Sequence, residues 1–223
     1  MATKLYMNYG IAPGVDVSGI IPDAAWEANA AAMTYCSMTP TKLGGTMTSI
    51  ADTRTGTSGD DVAMLVLVSP PMDGAYSLDT TNFDPITCIK GAQSSNSSNS
   101  SLRVDCYIVN QAGDTVVTVD GGTDGVELAL TTPTARGHSM PWDPTLTTTD
   151  GDRIVMVVGY RKASTGSYTQ TLVAGSDSAT DLTNDDADTG TDNPWVEFIS
   201  NITFKAEASS GTPNQLMMMG CGI

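Results

Sequence analysis

The stretch Asn193-Pro194-Trp195-Val196-Glu197-Phe198-Ile199-Ser200-Asn201-Ile202-Thr203-Phe204 constrains this chain more than any other. Asn-Pro favours a turn, and the aromatic and β-branched residues behind it predict a long closing β-strand. Trp195 and Phe198 have opposite parity on a strand. One therefore faces a core, and the other a neighbouring layer or a partner.

Upstream segments agree with an all-β reading. Lys4 to Asn8 predicts a short first strand. Val62 to Val68 is a continuous apolar run stopped by Ser69-Pro70-Pro71, which predicts a buried strand with an abrupt end. Ile86 to Lys90 predicts another strand. From Leu102 to Val109, Arg103, Asp105 and Tyr107 alternate with Val104, Cys106 and Ile108, the period of a half-buried strand. Thr115 to Val119, Val126 to Leu130, Arg153 to Arg161 and Ser167 to Ala174 continue the series, and Thr39 to Asp61 reads as a long excursion with one weak strand. No helical pattern alternates with these runs. The expectation is an antiparallel, jelly-roll-like β-sandwich of about eight strands spanning residues 1–204. One short helix is expected near residues 23–33, where Asp23 precedes an alanine run and Trp26 would pin the segment to the sandwich.

The formal charge of −15, from 25 Asp plus Glu against 10 Lys plus Arg, argues against direct binding to nucleic acid. Most of the acids are Asp, which favours turns, so the acidity belongs to loops. No apolar stretch is long enough to span a bilayer, and the N-terminus lacks the apolar core of a signal peptide. The expected site of synthesis is a cytoplasm.

Candidate chemistry is sparse. Cys36, Cys88, Cys106 and Cys221 show no metal-binding spacing, and one histidine makes a structural zinc site improbable. Cys88 and Cys106 flank a Ser/Asn-rich loop symmetrically; buried thiols are favoured over a disulfide. His138, beside Ser139, lacks the elbow motif of a hydrolase and reads as a loop histidine near Trp142. The loop from Asp181 to Asp188 offers oxygen ligands, but without the spacing of an EF-hand it reads as a solvated acidic loop rather than a calcium site. No catalytic residue, metal or cofactor is expected. A sugar-binding platform, if the chain carries one, would use Trp142 with Tyr160 and Tyr168.

Residues 205–223 differ from the rest. A small, polar spacer is followed by Gln215-Leu216-Met217-Met218-Met219-Gly220-Cys221-Gly222-Ile223. This reads as an extended C-terminal arm whose Leu216, Met217, Met218, Met219 and Ile223 dock on a partner.

The segments Lys4-Leu5-Tyr6, Val68-Ser69-Pro70-Pro71, Leu102-Arg103-Val104, Gly151-Asp152-Arg153-Ile154-Val155 with Gly159-Tyr160-Arg161, and Asn193-Pro194-Trp195-Val196-Glu197-Phe198 occur in an order that resembles a group of tailed-bacteriophage virion structural proteins. The resemblance implies a non-enzymatic protein that decorates or cements a capsid shell. It would bind the major capsid protein or other virion subunits at the virion surface after assembly in the host cytoplasm. A homo-oligomer, with a trimer on shell threefolds as one form, would follow lattice symmetry. A tail or receptor-binding fibre component and a carbohydrate-binding module are the alternatives.

Overall fold

In a computed structural model, residues 2–20, 26, 28–55, 57–177 and 180–206 are described. Their strands are β1 (Thr3–Asn8), β2 (Ala28–Thr39), β3 (Thr48–Thr55), β4 (Asp61–Val68), β5 (Ser77–Leu78), β6 (Ile86–Gln93) and β7 (Ser101–Val109). They continue with β8 (Thr115–Glu127), β9 (Ala129–Leu130), β10 (Thr134–Ser139), β11 (Leu146–Thr147), β12 (Arg153–Arg161), β13 (Ser167–Ala174) and β14 (Trp195–Phe198). The chain is all-β, as its strand pattern requires. The strands are more numerous than the expected eight, and they form one large mixed sheet with no clear jelly-roll order.

Twelve strands form that sheet, whose path runs β3-β13-β6-β14-β1-β2-β4-β12-β7-β8, with β9 and β10 also pairing to β6. A two-stranded ribbon of β5 and β11 lies apart. Most pairings are antiparallel, but β2–β4 and β6–β9 are parallel, so the purely antiparallel expectation is corrected. One core collects Leu5 from β1, Ile89 from β6 and Leu172 from β13 together with Leu67 from β4, Val104 from β7 and Met156 from β12. A flat sheet could not bring these distant strands together, so the sheet curls and encloses them between its two halves.

The expected helix is absent from the described part of its span. Ala28 begins β2, which pairs in parallel with β4 from Ala28↔Val62 to Ser37↔Val68, with an irregularity between Asn29 and Thr34. Alanine's helix preference amounts to only tenths of a kcal/mol per residue, and a ladder to a central strand outweighs it. Residues 23–25 and 27 lie outside the described residues. Trp26 is nonetheless pinned down as expected: it is buried against Ala63, Val66 and Val157 on the outer face of β4 and β12.

That outer cover explains a second correction. β7 is buried on both faces, not half-buried, because its outward residues lie under the segment containing Val17 and Trp26. The closing strand is also shorter than expected. Only Trp195–Phe198 forms a strand, and the chain regains pairing at Phe204, which bridges Met72. The parity reading of that strand holds. Phe198 enters the main core and stacks on Phe83 at 5.2 Å, while Trp195 faces a separate cluster with Cys88, Ala135 and Leu182.

The Ser/Asn-rich segment does not close a hairpin. β6 and β7 are not neighbours in the sheet, and the segment carries the chain from one half to the other. Hydrogen bonds anchor it in place of apolar contacts: Gln170 Nε2 donates to Ser98 Oγ at 2.7 Å, and Ser100 N donates to Gln93 Oε1 at 2.9 Å. Cys88 and Cys106 therefore sit on separate parts of the sheet, and with Cys36 they are buried free thiols. Burial pushes the Cys36 thiol up to about 11 and that of Cys88 to about 12, so neither ionises readily.

Candidate functional site

The residues that could do chemistry or bind sugar are turned inward. Trp142 is fully buried, edge-on to Phe83 at a centroid distance of 4.6 Å, and its backbone N donates to Asp84 Oδ1. Tyr160 is also fully buried, and its hydroxyl donates to Asp52 Oδ2 at 2.7 Å. Tyr168 is half-buried on β13, opposite Arg54 of β3. The three do not form an exposed platform, because Trp142 and Tyr160 fill the core instead of presenting a ring face to solvent. Their polar tips gave no sequence signal of this, since an aromatic in a β protein suits either place.

His138 is on β10, not on a loop. It pairs with Thr87, it is buried, and its Nε2 donates to the Gly121 carbonyl oxygen at 2.8 Å. Burial pushes its pKa below the ordinary value, partly opposed by that hydrogen bond and aided by the charge of Arg103. The imidazole is thus held neutral as a link between β10 and β8.

The acidic loop is solvated along Thr183–Ala187, as expected, but it is also anchored to the sheet. Asp181 contacts Lys4 Nζ at 3.0 Å and Lys42 Nζ at 2.8 Å, and it accepts from the Tyr6 hydroxyl. Lys90 Nζ donates to the carbonyl oxygens of Thr189 and Gly190, and Arg136 approaches Asp186 at 3.6 Å. Gly137 is what lets the loop lie so close: a Cβ there would overlap the Asn184 side chain. Among the described residues no group of three or more His, Cys, Asp or Glu could hold a metal ion. The loop is a cover for the outer face of β6 and β10, fastened by lysines and an arginine scattered through the sequence.

A buried ionic network lies under Trp26. Asp61 accepts from Arg103 Nη1 at 2.7 Å and from Arg161 at 2.8 and 2.6 Å, and Arg103 also reaches Asp105 at 3.4 Å. The Arg103 guanidinium sits 5.1 Å from the centre of the Trp26 ring. The sequence reading missed this network; its signal was the charged residues at alternate positions of strongly apolar strands.

Two of the motifs that carried the resemblance meet at the foot of the sheet. Ile154 N donates to Ser69 Oγ and Arg153 Nη1 to the Ser69 carbonyl oxygen, both at 2.9 Å. Pro71 accepts from Lys205 N at 2.8 Å, while Asp150 joins Lys205 Nζ at 2.6 Å to Gln111 Nε2, which donates to its carbonyl oxygen at 2.7 Å. Pro71, Gln111, Gly151, Arg153 and Lys205 line a shallow depression of about 230 Å³ there. The chain leaves the described fold at this point. Leu216, Met217, Met218, Met219 and Ile223 of the arm lie outside the described residues.

The two ends of the main sheet differ in chemistry. The outer strand β3 carries Asp52 and Arg54, which are hydrogen-bonded to each other at 2.9 Å. Charges of this kind discourage further strand pairing. The other outer strand, β8, pairs with β7 and begins Thr115-Val116-Val117-Thr118-Val119, an uncharged run between Asp114 and Asp120. Val117 and Val119 turn toward the core, whereas Thr115, Val116 and Thr118 are exposed, Val116 at 47%. The sequence reading found the strand but not that it would be an edge, because strand order is set by tertiary pairing. This stretch is one exposed feature suited to a macromolecular contact; Tyr9, Ile11 and Leu43, which line a small depression, are another.

No family model and no curated protein sequence matches the chain. Among solved structures it is similar to a CocE/NonD family hydrolase from Staphylococcus aureus at 8% identity and a TM-score of 0.47, covering 90% of this chain and 36% of that one. An α-amino acid ester hydrolase gives 8% identity and a TM-score of 0.46 over the same shares. A weak likeness to viral capsid proteins is present too: the structure of infectious bursal disease virus, Gx strain, is 10% identical with a TM-score of 0.26, over 73% of this chain and 38% of that one. The chain spans little more than a third of the length of these structures.

Proposed function

We propose that this protein is a non-enzymatic virion structural protein of a tailed phage, one that decorates or cements the outer face of a capsid shell. The observation that carries the reading is the uncharged stretch Thr115–Val119 that opens the outer strand β8, on a chain whose formal charge is −15. Elsewhere the outer faces of the sheet are covered by the chain's own segments, the Trp26 segment over β4, β12 and β7 and the acidic loop over β6 and β10. Contact with shell subunits at this edge would draw its affinity from backbone N–H and C=O groups and its avidity from repeated copies. The acidic surface keeps the particle exterior soluble without competing for the packaged nucleic acid.

The test is imaging of purified parent particles with this protein labelled, alongside particles made with Val116→Lys and Thr118→Lys. Label at regular shell positions, and loss of label in the variants, are expected. Particles devoid of the protein would overturn the virion reading. Label confined to the tail would move it to the tail or fibre.

A further inference from the structure

We infer that the depression between the turn after β1 and the loop joining β2 to β3 binds a neutral saccharide. One hydroxyl-bearing edge of the sugar enters the depression, and its apolar face lies on Tyr9. The site uses neither β8 nor the aromatics of the core, and it stands apart from where the protein is delivered.

Three segments build the depression. Asn8 ends β1, and Tyr9 and Ile11 follow it in a turn that is held to β2, because Ser37 N donates to the Ile11 carbonyl oxygen at 2.9 Å. Leu43 and Thr46 come from the loop between β2 and β3, and Ser176 follows β13. The last two segments lie backbone to backbone. At Gly175, with φ +137°, a Cβ would fall 2.6 Å from the Thr46 carbonyl oxygen. Walls made by such close approach are in place before any ligand arrives.

The lining carries an unmet polar demand. Asn8 Oδ1 and Ser176 Oγ are buried oxygens without a hydrogen-bond partner among the described residues, and their residues are only 3% and 4% exposed. Turning the Asn8 amide does not relieve this. Thr39 Oγ1 donates to the Thr41 carbonyl oxygen at 2.6 Å, so toward Asn8 it accepts, and Asn8 Nδ2 supplies that proton at 2.6 Å. Asn8 Oδ1 is left as an acceptor in need of a donor, while the Ser176 hydroxyl can give or accept.

The rest of the lining is apolar and exposed: Tyr9 at 41%, Ile11 at 43% and Leu43 at 50%. No lining residue is charged, on a chain of formal charge −15. Water alone would serve the oxygens and leave these side chains bare. A purely apolar ligand would cover them and leave the oxygens unmet. A saccharide does both, with hydroxyls along its edge, a C–H face that packs on an aromatic ring, and no charge. The depression holds about 60 Å³, against roughly 30 Å³ for one water. That is room for a hydroxymethyl group or a pair of hydroxyls, so the ring itself stays outside, on Tyr9.

The experiment titrates the ¹⁵N-labelled full chain with the methyl glycosides of glucose, galactose, mannose and N-acetylglucosamine, and with glycerol as a polyol without a ring. Saturable shifts centred on the Tyr9, Ile11 and Gly45 amides are expected with at least one glycoside. Tyr9→Ala and Ser176→Ala should each weaken that binding roughly tenfold. Unmoved β4 and β12 amide signals report that each variant is folded. No saturable shift with any of the glycosides would overturn the inference. Equal shifts with glycerol would mark a water-filled depression only and overturn it too, as would binding that neither variant weakens. The particle imaging probes β8, so the two readings fall separately.

Discussion

Arg103 Nη1 lies 2.7 Å from Asp61 Oδ2 on the outer face of the sheet, at a position where strand periodicity alone would place solvent. Both side chains are almost fully buried, at 3% and 2% exposure. Two further groups complete the site: Arg161 shares the Asp61 carboxylate, and Asp105 faces Arg103. Asp61→Ala would leave the buried Arg103 guanidinium with the longer Asp105 contact in place of its 2.7 Å partner and should cost about 3 kcal/mol, the low end for breaking a buried pair. Urea denaturation of the two proteins checks this; a loss near that of an exposed ion pair would show that the network contributes little.

His138 makes stability depend on pH. Its folded pKa is depressed by burial, while the unfolded chain takes up the proton near pH 6.5. As pH falls below that value the unfolded state binds a proton the native state refuses, so stability decreases. The decrease continues until the lower folded pKa is reached. His138→Gln should remove this slope between pH 7 and 5, as read from thermal melts across the range.

Asp181 should respond at lower pH. Burial pushes its carboxyl up, but hydrogen bonds and charge from Lys42 and Lys4 outweigh burial and hold it below the ordinary carboxylate range. Its stabilising contribution is full above the unfolded carboxylate pKa, about 3.9, and is lost as pH falls through the folded value. Trp195 Nε1 donates to the Leu182 carbonyl oxygen at 2.9 Å, so loop release changes the surroundings of an indole. Asp181→Asn is expected to cost about 0.5–1 kcal/mol. It should also shift the acid transition of Trp195 fluorescence upward.

Trp142→Ala removes a ring packed edge-on to Phe83, which itself stacks on Phe198. The expected cost is about 3–5 kcal/mol. Calorimetry should show the melting temperature falling steeply. A native-like melt would contradict the placement of this ring in the core.

Much of the strand content was legible because it rests on local signals. β13 matches its expected range of Ser167 to Ala174, and Pro70-Pro71 ends β4 where proline must. The candidate residues were harder to place. Trp142, Tyr160 and His138 could each have served at a surface, and only knowing which strands and covers lie over them shows that they are internal. The alanine run misled because its propensity is small beside the ladder that β4 offers to β2.

Residue pattern alone determined that this chain is all-β, acidic in its loops, and closed by a strand whose two aromatics face opposite ways. Side-chain period and turn chemistry are properties of neighbouring residues, so they can be read in order along the chain. Only the tertiary structure decided that the outer face of β7 is covered, that the acidic loop is fastened down, and that β3 and β8 are the outer strands of the sheet. Each of those depends on pairings between residues far apart in sequence, such as Lys4 with Asp181 or Asp61 with Arg103, for which the linear pattern carries no term.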